Sequence, residues 1–295
     1  MPELPEVETV RAGLQQLLPG LIVATVEYDT PKSFPNPPVD VQQFLVGASV
    51  VTIKRLAKVL MIELSSDYTL ITHLKMTGQL VFRGDYERFG AGHPNASLVG
   101  DLPDKSTRVT LTFADGSKLF FNDQRKFGWM KLVPSAAVAE MPFMQKVGPE
   151  PLDASFTWEV LSSRLQRRRN TGIKAALLDQ TVIAGVGNIY ADESLWGARI
   201  HPSTLVRDLT EQDFQHLHRA LVDVLRLSIS KGGSTDRNYV DAKGHRGSYL
   251  TFANVFRREN QPCPRHPDTM ILKLRVAGRG THICPVCQTV DSIRG

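Results

Sequence analysis

Cysteine is missing from the first 262 of the chain's 295 residues; Cys263, Cys284 and Cys287 all lie in the last 33. An odd, clustered set excludes a disulfide framework and, in a reducing compartment, points to metal. Also missing is any apolar run near the ~20 residues that a membrane-spanning helix needs. The acidic, amphipathic N-terminus has neither the basic stretch nor the apolar core of a secretory signal. No membrane partner is expected, and the expected compartment is the cytoplasm, which in a bacterium includes the nucleoid. Internal repeats and low-complexity tracts are absent too, so no solenoid or disordered array is implied.

What is present describes a globular chain long enough for two domains or more, with 42% hydrophobic residues and ordinary glycine and proline content. Net charge is +5, a modest hint of a polyanionic partner. Its distribution says more. From Lys231 to Gly295 there are 11 Lys/Arg against 5 Asp/Glu, so the first 230 residues are about neutral and the surplus sits in one segment, as a nucleic-acid footprint would.

Val7, Val10, Leu14 and Leu17 fall at helical spacing, and Pro19-Gly20 ends that helix. Asp29 to Pro38 reads as a loop. From about 41 to 133 the pattern is mostly strands: Val50–Ile53 and Val59–Ile62 around Lys58, then Thr69 to Phe82. Val109, Leu111 and Phe113 alternate before an Asp115-Gly116 hairpin turn and Lys118–Phe121. Arg83 to Lys105, with little apolar content, reads as a surface insertion, and Pro134 to Pro151 as a linker. Helices follow over Phe156–Arg168, Lys174–Asp179, Ile189–Trp196 and Glu211–Ser230. The last carries an apolar stripe of Phe214, Leu217, Leu221, Val224 and Leu225 and stops at Gly232-Gly233. Beyond it Met270, Leu272, Leu274 and Val276 alternate with Lys273 and Arg275, and Ala277–Gly280 turns into Thr281–Cys284: a β-hairpin with basic residues on one face and Arg279 at its tip. The expected fold class is α+β: an N-terminal β-sandwich-like domain with an N-terminal helix (1–133), a linker (134–151), a helical domain (152–256), a metal-binding hairpin (257–290) and a tail (291–295).

Three stretches carry chemistry. The chain opens Met1-Pro2-Glu3-Leu4-Pro5-Glu6-Val7. A small second residue permits removal of Met1, which would leave Pro2 as a secondary-amine terminus. An α-amino group has a pKa of about 7.7–8.0, so a useful fraction is nucleophilic near neutral pH. Its attack on an aldehyde-level carbon gives an iminium ion, an electron sink, with Glu3 beside it as a general acid. The same residues also suit a plain helix start, proline in the first turn and Glu3, Glu6 and Glu8 on the dipole. Second, Cys263-x2-His266 and Cys284-x2-Cys287 bracket the hairpin, the spacing of a Cys₃His structural zinc ribbon. His282 is a competing fourth ligand. Third, Gly185-Val186-Gly187-Asn188-Ile189-Tyr190 is a glycine turn entering a helix, a generic phosphate site. Lys174 and the run Arg167-Arg168-Arg169 read as solvated or phosphate-facing surface. Lys58 lies among Leu56, Ala57, Val59 and Leu60 on what reads as a strand. Met76 and Phe127 suit core positions or, with Arg125 as the cation, wedges that fill the hole left by an extruded nucleotide.

The opening MPELPEVET is similar to that of bacterial formamidopyrimidine-DNA glycosylases. The resemblance extends over roughly 1–290 through His73–Gly78, Arg125–Gly128, Gly148–Leu152, Gly185–Tyr190 and the metal-ligand spacing. It implies a helix-two-turn-helix domain and an enzyme that removes oxidised purines (8-oxoguanine, formamidopyrimidines) from double-stranded DNA and cleaves the abasic site by β,δ-elimination. By resemblance Pro2 is the Schiff-base nucleophile, Glu3 assists ring opening, Lys58 donates a proton and Arg279 reaches phosphate in the second elimination. Met76, Arg125 and Phe127 fill the gap, Lys174 and Asn188 contact DNA, and Cys263, His266, Cys284 and Cys287 hold one structural zinc ion. Residues 232–247 correspond to a flexible cap over the extruded base. The chain departs from the family pattern at His266, where cysteine is usual, at Ser106, where a DNA-facing histidine is common, and at Asn170, where lysine is. A monomer is expected. The alternatives are an endonuclease VIII-like enzyme for oxidised pyrimidines and a non-catalytic lesion-binding paralogue.

Overall fold

The computed structural model describes residues 2–93, 95–233 and 249–289. The chain divides into two compact units, Met1–Gln145 with Lys231–Ser248, and Lys146–Ser230 with Tyr249–Gly295.

The first unit opens with α1 (Leu4–Leu17), whose Val7, Val10 and Leu14 are fully buried. Glu3 stands at its N-cap, and the Glu6 carboxylate accepts the Glu3 backbone N–H at 2.8 Å. After β1 (Val23–Tyr28), the three-residue turn α2 (Pro38–Asp40) and a π turn over Val41–Leu45 lead into the sheets. One sheet takes β2 (Val50–Leu56), β3 (Val59–Leu64), β4 (Tyr68–His73) and β9 (Trp129–Pro134) in that order. The other is ordered β1, β7 (Thr107–Phe113), β8 (Lys118–Asp123), β5 (Gly78–Arg83), β6 (Arg88–Gly92). All pairings in both are antiparallel. The alternating inward residues of both sheets and the apolar stripe of α1 make one core, with Leu14, Ile53, Leu80 and Phe121 at its centre.

Three expectations for this unit need correction. Residues 83–105 are not a surface insertion: β6 pairs with β5, and Phe89, Ala91 and Leu98 are buried. The few apolar side chains there suffice because Phe89 lies on α1 where Gly13 has no side chain; a Cβ at Gly13 would meet the Phe89 ring at 2.1 Å. Lys58 is not on a strand but in the two-residue turn of the β2–β3 hairpin, where Ala57 takes a left-handed φ of 51°. The stretch after β9 is ordered: a 3-10 turn (Ser135–Glu140) and α3 (Pro142–Lys146) bring Val138, Met141, Phe143 and Met144 against Val59, Ile71 and Val133.

In the second unit α4 (Trp158–Gln166), α5 (Ile173–Leu178), α6 (Asn188–Ala198) and α7 (Glu211–Ser230) share a core of Leu161, Ile173, Tyr190, Leu195, Leu217 and Leu221. The apolar stripe of α7 is buried as its spacing predicts, whereas α6 is buried nearly all round. Between α5 and α6 the turn is closed by Gln180, whose side chain donates to Val186 O at 2.8 Å and accepts from Gly185 N at 3.0 Å. Gly185 needs its positive φ of 77° there. The unit ends with the hairpin β10 (Leu272–Val276) and β11 (Arg279–Ile283). Among the described residues no helix is long and apolar enough to cross a membrane.

Candidate active site and metal centre

Pro2 and Glu3 are both buried at the head of α1. The β2–β3 hairpin is tied to the same helix: Arg55 Nε donates to Glu8 at 2.9 Å while its Nη1 holds Ala57 O at 2.9 Å, next to Lys58. Half-buried Gln15 extends this tether, its Oε1 accepting from Ile53 N at 2.6 Å. Lys58 is itself 6% exposed. Register places Val59 opposite His73, so the Lys58 turn lies at the end of β4 where His73 stands. Burial, then the nearby Lys75 and Lys58 charges, lower the His73 imidazole to about 3. The ring is neutral at working pH, and its Nδ1 accepts the Lys75 N–H at 3.0 Å. Sequence reasoning used His73 only as part of a motif; the turn beside a second lysine is the signal that singles it out.

Met76 and the Arg125/Phe127 pair sit on two loops that share one buried anchor. Asp123, with no exposed surface, accepts Phe127 N at 2.8 Å and Gly128 N at 2.7 Å through Oδ2, and Arg125 N at 3.2 Å through Oδ1. The same Oδ1 accepts a short hydrogen bond from Thr77, the neighbour of Met76. Lys75 and Lys126, in the two loops, take left-handed φ angles of 52° and 56°. Thus one carboxylate brings together side chains some fifty positions apart. Phe127 is 44% exposed, with the Arg125 guanidinium 4.8 Å from its ring centre and Lys32 Nζ at 5.5 Å. An exposed aromatic flanked by cations is not a core residue. Asp123 was missed in the sequence, where nothing distinguishes it from a turn aspartate. Ser106, one of the departures from the family pattern, is turned inward and bonded to Asp104 at 2.6 Å.

In the second unit Asn188 opens α6, its Nδ2 donating to Gly280 O at 3.0 Å. Arg279 is the first residue of β11, paired with Val276 and exposed, rather than the tip itself, which is Ala277-Gly278. Both faces of β10 are exposed, Leu272 and Leu274 included; Lys273 and Arg275 share one face, while Arg279, opposite Val276, lies on the other. Lys174 is corrected from surface to interior: it is 0% exposed, with Nζ 2.6 Å from Asp192 Oδ1, 2.6 Å from Thr281 Oγ1 and 3.3 Å from Gly280 O. A fully enclosed ammonium needs such a partner set, and a helix face read from sequence does not show Asp192 one helix away. Asp192 also accepts the His282 N–H at 2.9 Å, with His282 Nδ1 at 3.1 Å. Its neighbour Glu193 accepts three successive N–H groups, Asn254, Val255 and Phe256, at 2.8–3.1 Å. The predicted cap, 232–247, lies outside the described residues from 234 onward.

His282 is thus engaged by Asp192, and the fourth member of the cysteine cluster is His266. Ligand atoms of Cys263, His266, Cys284 and Cys287 all lie within 4.8 Å of one another. Cys263 and Cys287 sulfurs are 3.8 Å apart, and His266 Nδ1 is 3.1 Å from Cys287 and 3.8 Å from Cys284. Tetrahedral ligands at ~2.3 Å from a zinc ion have edges of this size. The donor chemistry fits a cation as well. At Cys263, burial raises the thiol but N–H groups of Arg265, Trp196 and His266 outweigh it, leaving it at about 6. At Cys287, burial and the adjacent thiols push it up to about 12. Crowded sulfurs that obstruct one another's ionisation accommodate a bound divalent ion.

Residues 1–130 match the formamidopyrimidine-DNA glycosylase N-terminal domain, and 147–239 match the H2TH domain of the same enzymes. The formamidopyrimidine-DNA glycosylase of Pelotomaculum thermopropionicum is 43% identical over 98% of this chain and 100% of its own length. That of Chloroflexus aurantiacus is 42% identical over 98% of each. Among solved structures, wild-type Lactococcus lactis Fpg with DNA containing N7-benzyl-Fapy-dG superposes with a TM-score of 0.84 at 33% identity, covering 98% of this chain and 100% of that one. The L. lactis enzyme bound to DNA with an abasic site gives 0.84 at 33% identity, over 97% and 99%. The chain belongs to the formamidopyrimidine-DNA glycosylase family.

Proposed function

We propose that this chain removes oxidised purines from double-stranded DNA and then cleaves the strand at the abasic site, with the Pro2 nitrogen as nucleophile. The observation that carries this reading is the buried Pro2-Glu3 pair at the head of α1, to which the Lys58 turn is tethered through Arg55 and Glu8. Once Met1 is removed, the Pro2 lone pair attacks C1′ of the sugar as the bond to the base breaks, and the base leaves protonated. Glu3 delivers a proton to O4′ and the ring opens to an iminium ion, with the secondary amine unable to discharge it by losing N–H. That cation acidifies the C2′ proton, so the 3′ phosphate leaves; loss of a C4′ proton then expels the 5′ phosphate. Lys58 supplies a proton in the first elimination and Arg279 steadies phosphate in the second. Asp123 holds the loops of Met76, Arg125 and Phe127 in the posture needed to occupy the vacated place in the duplex. Asn188 supports the backbone of the Arg279 strand through Gly280 O and stands at the head of α6, the end that would meet phosphate. Lys174 takes a supporting place through Asp192 and Gly280. Cys263, His266, Cys284 and Cys287 hold one zinc ion, which orders the hairpin and takes no part in bond breaking.

Borohydride added during turnover of a duplex containing 8-oxoguanine is expected to trap one protein–DNA adduct. Pro2→Gly, or acetylation of the terminal nitrogen, should abolish trapping. An adduct of equal yield in the blocked protein would sink the nucleophile assignment. Faster processing of thymine glycol than of 8-oxoguanine would assign the oxidised-pyrimidine specificity instead.

A further inference from the structure

We infer that Thr281, on β11, is a positioning residue for the second elimination, its hydroxyl fixing the backbone that carries Arg279. The inference rests on the role given to Arg279 above. Thr281 is 0% exposed, and its Oγ1 stands between two partners, Lys174 Nζ at 2.6 Å and Arg279 O at 3.1 Å. An ammonium donates and never accepts, so the hydroxyl receives the hydrogen bond from Lys174, and its own single proton is left for the Arg279 carbonyl. The direction is settled one step further back, where enclosed Asp192 accepts from Lys174 Nζ at 2.6 Å and so aims it. Carboxylate, ammonium, hydroxyl and carbonyl thus form one row of hydrogen bonds, each polarising the next, from the interior of α6 to the backbone of Arg279.

Arg279 itself is exposed and follows the Ala277-Gly278 turn, where both residues take positive φ angles, 50° and 72°. Its guanidinium ends a long flexible stem, so its reach is set by the backbone from which the stem starts. That backbone is clamped at three points: Arg279 O by Thr281, Gly280 O by Asn188 Nδ2 at 3.0 Å and Lys174 Nζ at 3.3 Å, and His282 N by Asp192 at 2.9 Å. Of these side chains only Thr281 holds Arg279. A threonine that served merely to satisfy Lys174 would affect stability alone. One that holds the Arg279 carbonyl affects the step that Arg279 serves, because a small misplacement of a charged group costs rate.

Thr281→Val removes the hydroxyl at nearly constant volume, and Thr281→Ser restores it. On a duplex with an abasic site in a 5′-labelled strand, the first elimination leaves an unsaturated aldehyde at the 3′ end and the second leaves a phosphate, so one gel resolves them. Relative to the first elimination in the same reaction, the second should be about five- to ten-fold slower in Thr281→Val, the worth of one hydrogen bond, and should recover in Thr281→Ser. In an Arg279→Ala background Thr281→Val should slow it no further. An unchanged product ratio in a folded Thr281→Val, or an equal additional loss in the Arg279→Ala background, overturns the inference. Arg279→Ala with an unchanged ratio would instead remove the Arg279 reading, and the inference with it. In the unaltered chain the Thr281 hydroxyl proton, identified by its contact with that residue's own methyl group, should exchange slowly enough to be seen by NMR. A proton lost to fast exchange overturns the inference even where the valine variant does not fold.

Discussion

His73 shows how a single residue's surroundings convert to a measurable property. Its folded value of about 3 lies below the ordinary 6.5, so between those values the unfolded chain binds a proton that the folded chain refuses. Stability from this group is complete above pH 6.5 and falls as pH drops toward 3. His73→Asn, which keeps an acceptor near the Lys75 N–H, should remove that part of the acid sensitivity. Urea unfolding should show the stability gap between the two proteins shifting in favour of the variant by about 1–2 kcal/mol from pH 7 to pH 5. Identical pH dependence in both would contradict a neutral, enclosed ring. Asp123 is the complementary case, a carboxylate kept inside because four donors from two loops converge on it.

At the level of elements α6 is the organising piece of the second unit, and its consecutive acids do the organising. Asp192 takes the hairpin, through Lys174 and His282, and Glu193 takes the 254–256 backbone. Lys174→Met should leave Asp192 enclosed without its cation and destabilise this unit by about 3–5 kcal/mol. The double variant Lys174→Met/Asp192→Leu should recover much of that loss, measurable by thermal unfolding of the three proteins. If the single variant is as stable as the original chain, Lys174 is solvated after all. These contacts also mark where reading residues in order stops working. Periodicity located α1, α7 and the β7–β8 turn because each buries one face at a regular repeat. It misjudged Lys174 and Lys58, since a charged residue's burial depends on partners distant in sequence. It misjudged β6 as well, because a strand only five residues long at a sheet edge has too few apolar positions to signal itself. The grouping of Cys263, His266, Cys284 and Cys287 was legible from spacing, and the geometry adds that His282, the competitor, faces Asp192 instead.

Across the whole molecule the two units differ in what holds them. The first has a broad apolar core between sheets and helix, whereas the hairpin end of the second rests on six buried residues, three of them cysteines. A segment with so little core gains most from an ion held by its Cys263, His266, Cys284 and Cys287 group, as proposed above. Chelation should therefore raise amide exchange through Leu272–Val276 and Arg279–Ile283 while leaving β2–β4 and α1 protected. Uniform exchange rates before and after chelation would mean that the hairpin folds unaided. The basic surplus after Lys231 makes duplex binding salt-dependent, with affinity falling steeply as ionic strength rises.

The notch at Gly13 carries a last implication. Phe89 leans into it from the sheet edge, so the axial position of the first helix is gauged from its far side, more than two turns away from the nitrogen at its head. A methyl group at that notch would have to displace either the Phe89 ring or the helix itself, and a shift of the helix would carry Pro2 and Glu3 with it. The edge strand, so easily passed over when read as letters, is the stop against which the first helix is seated.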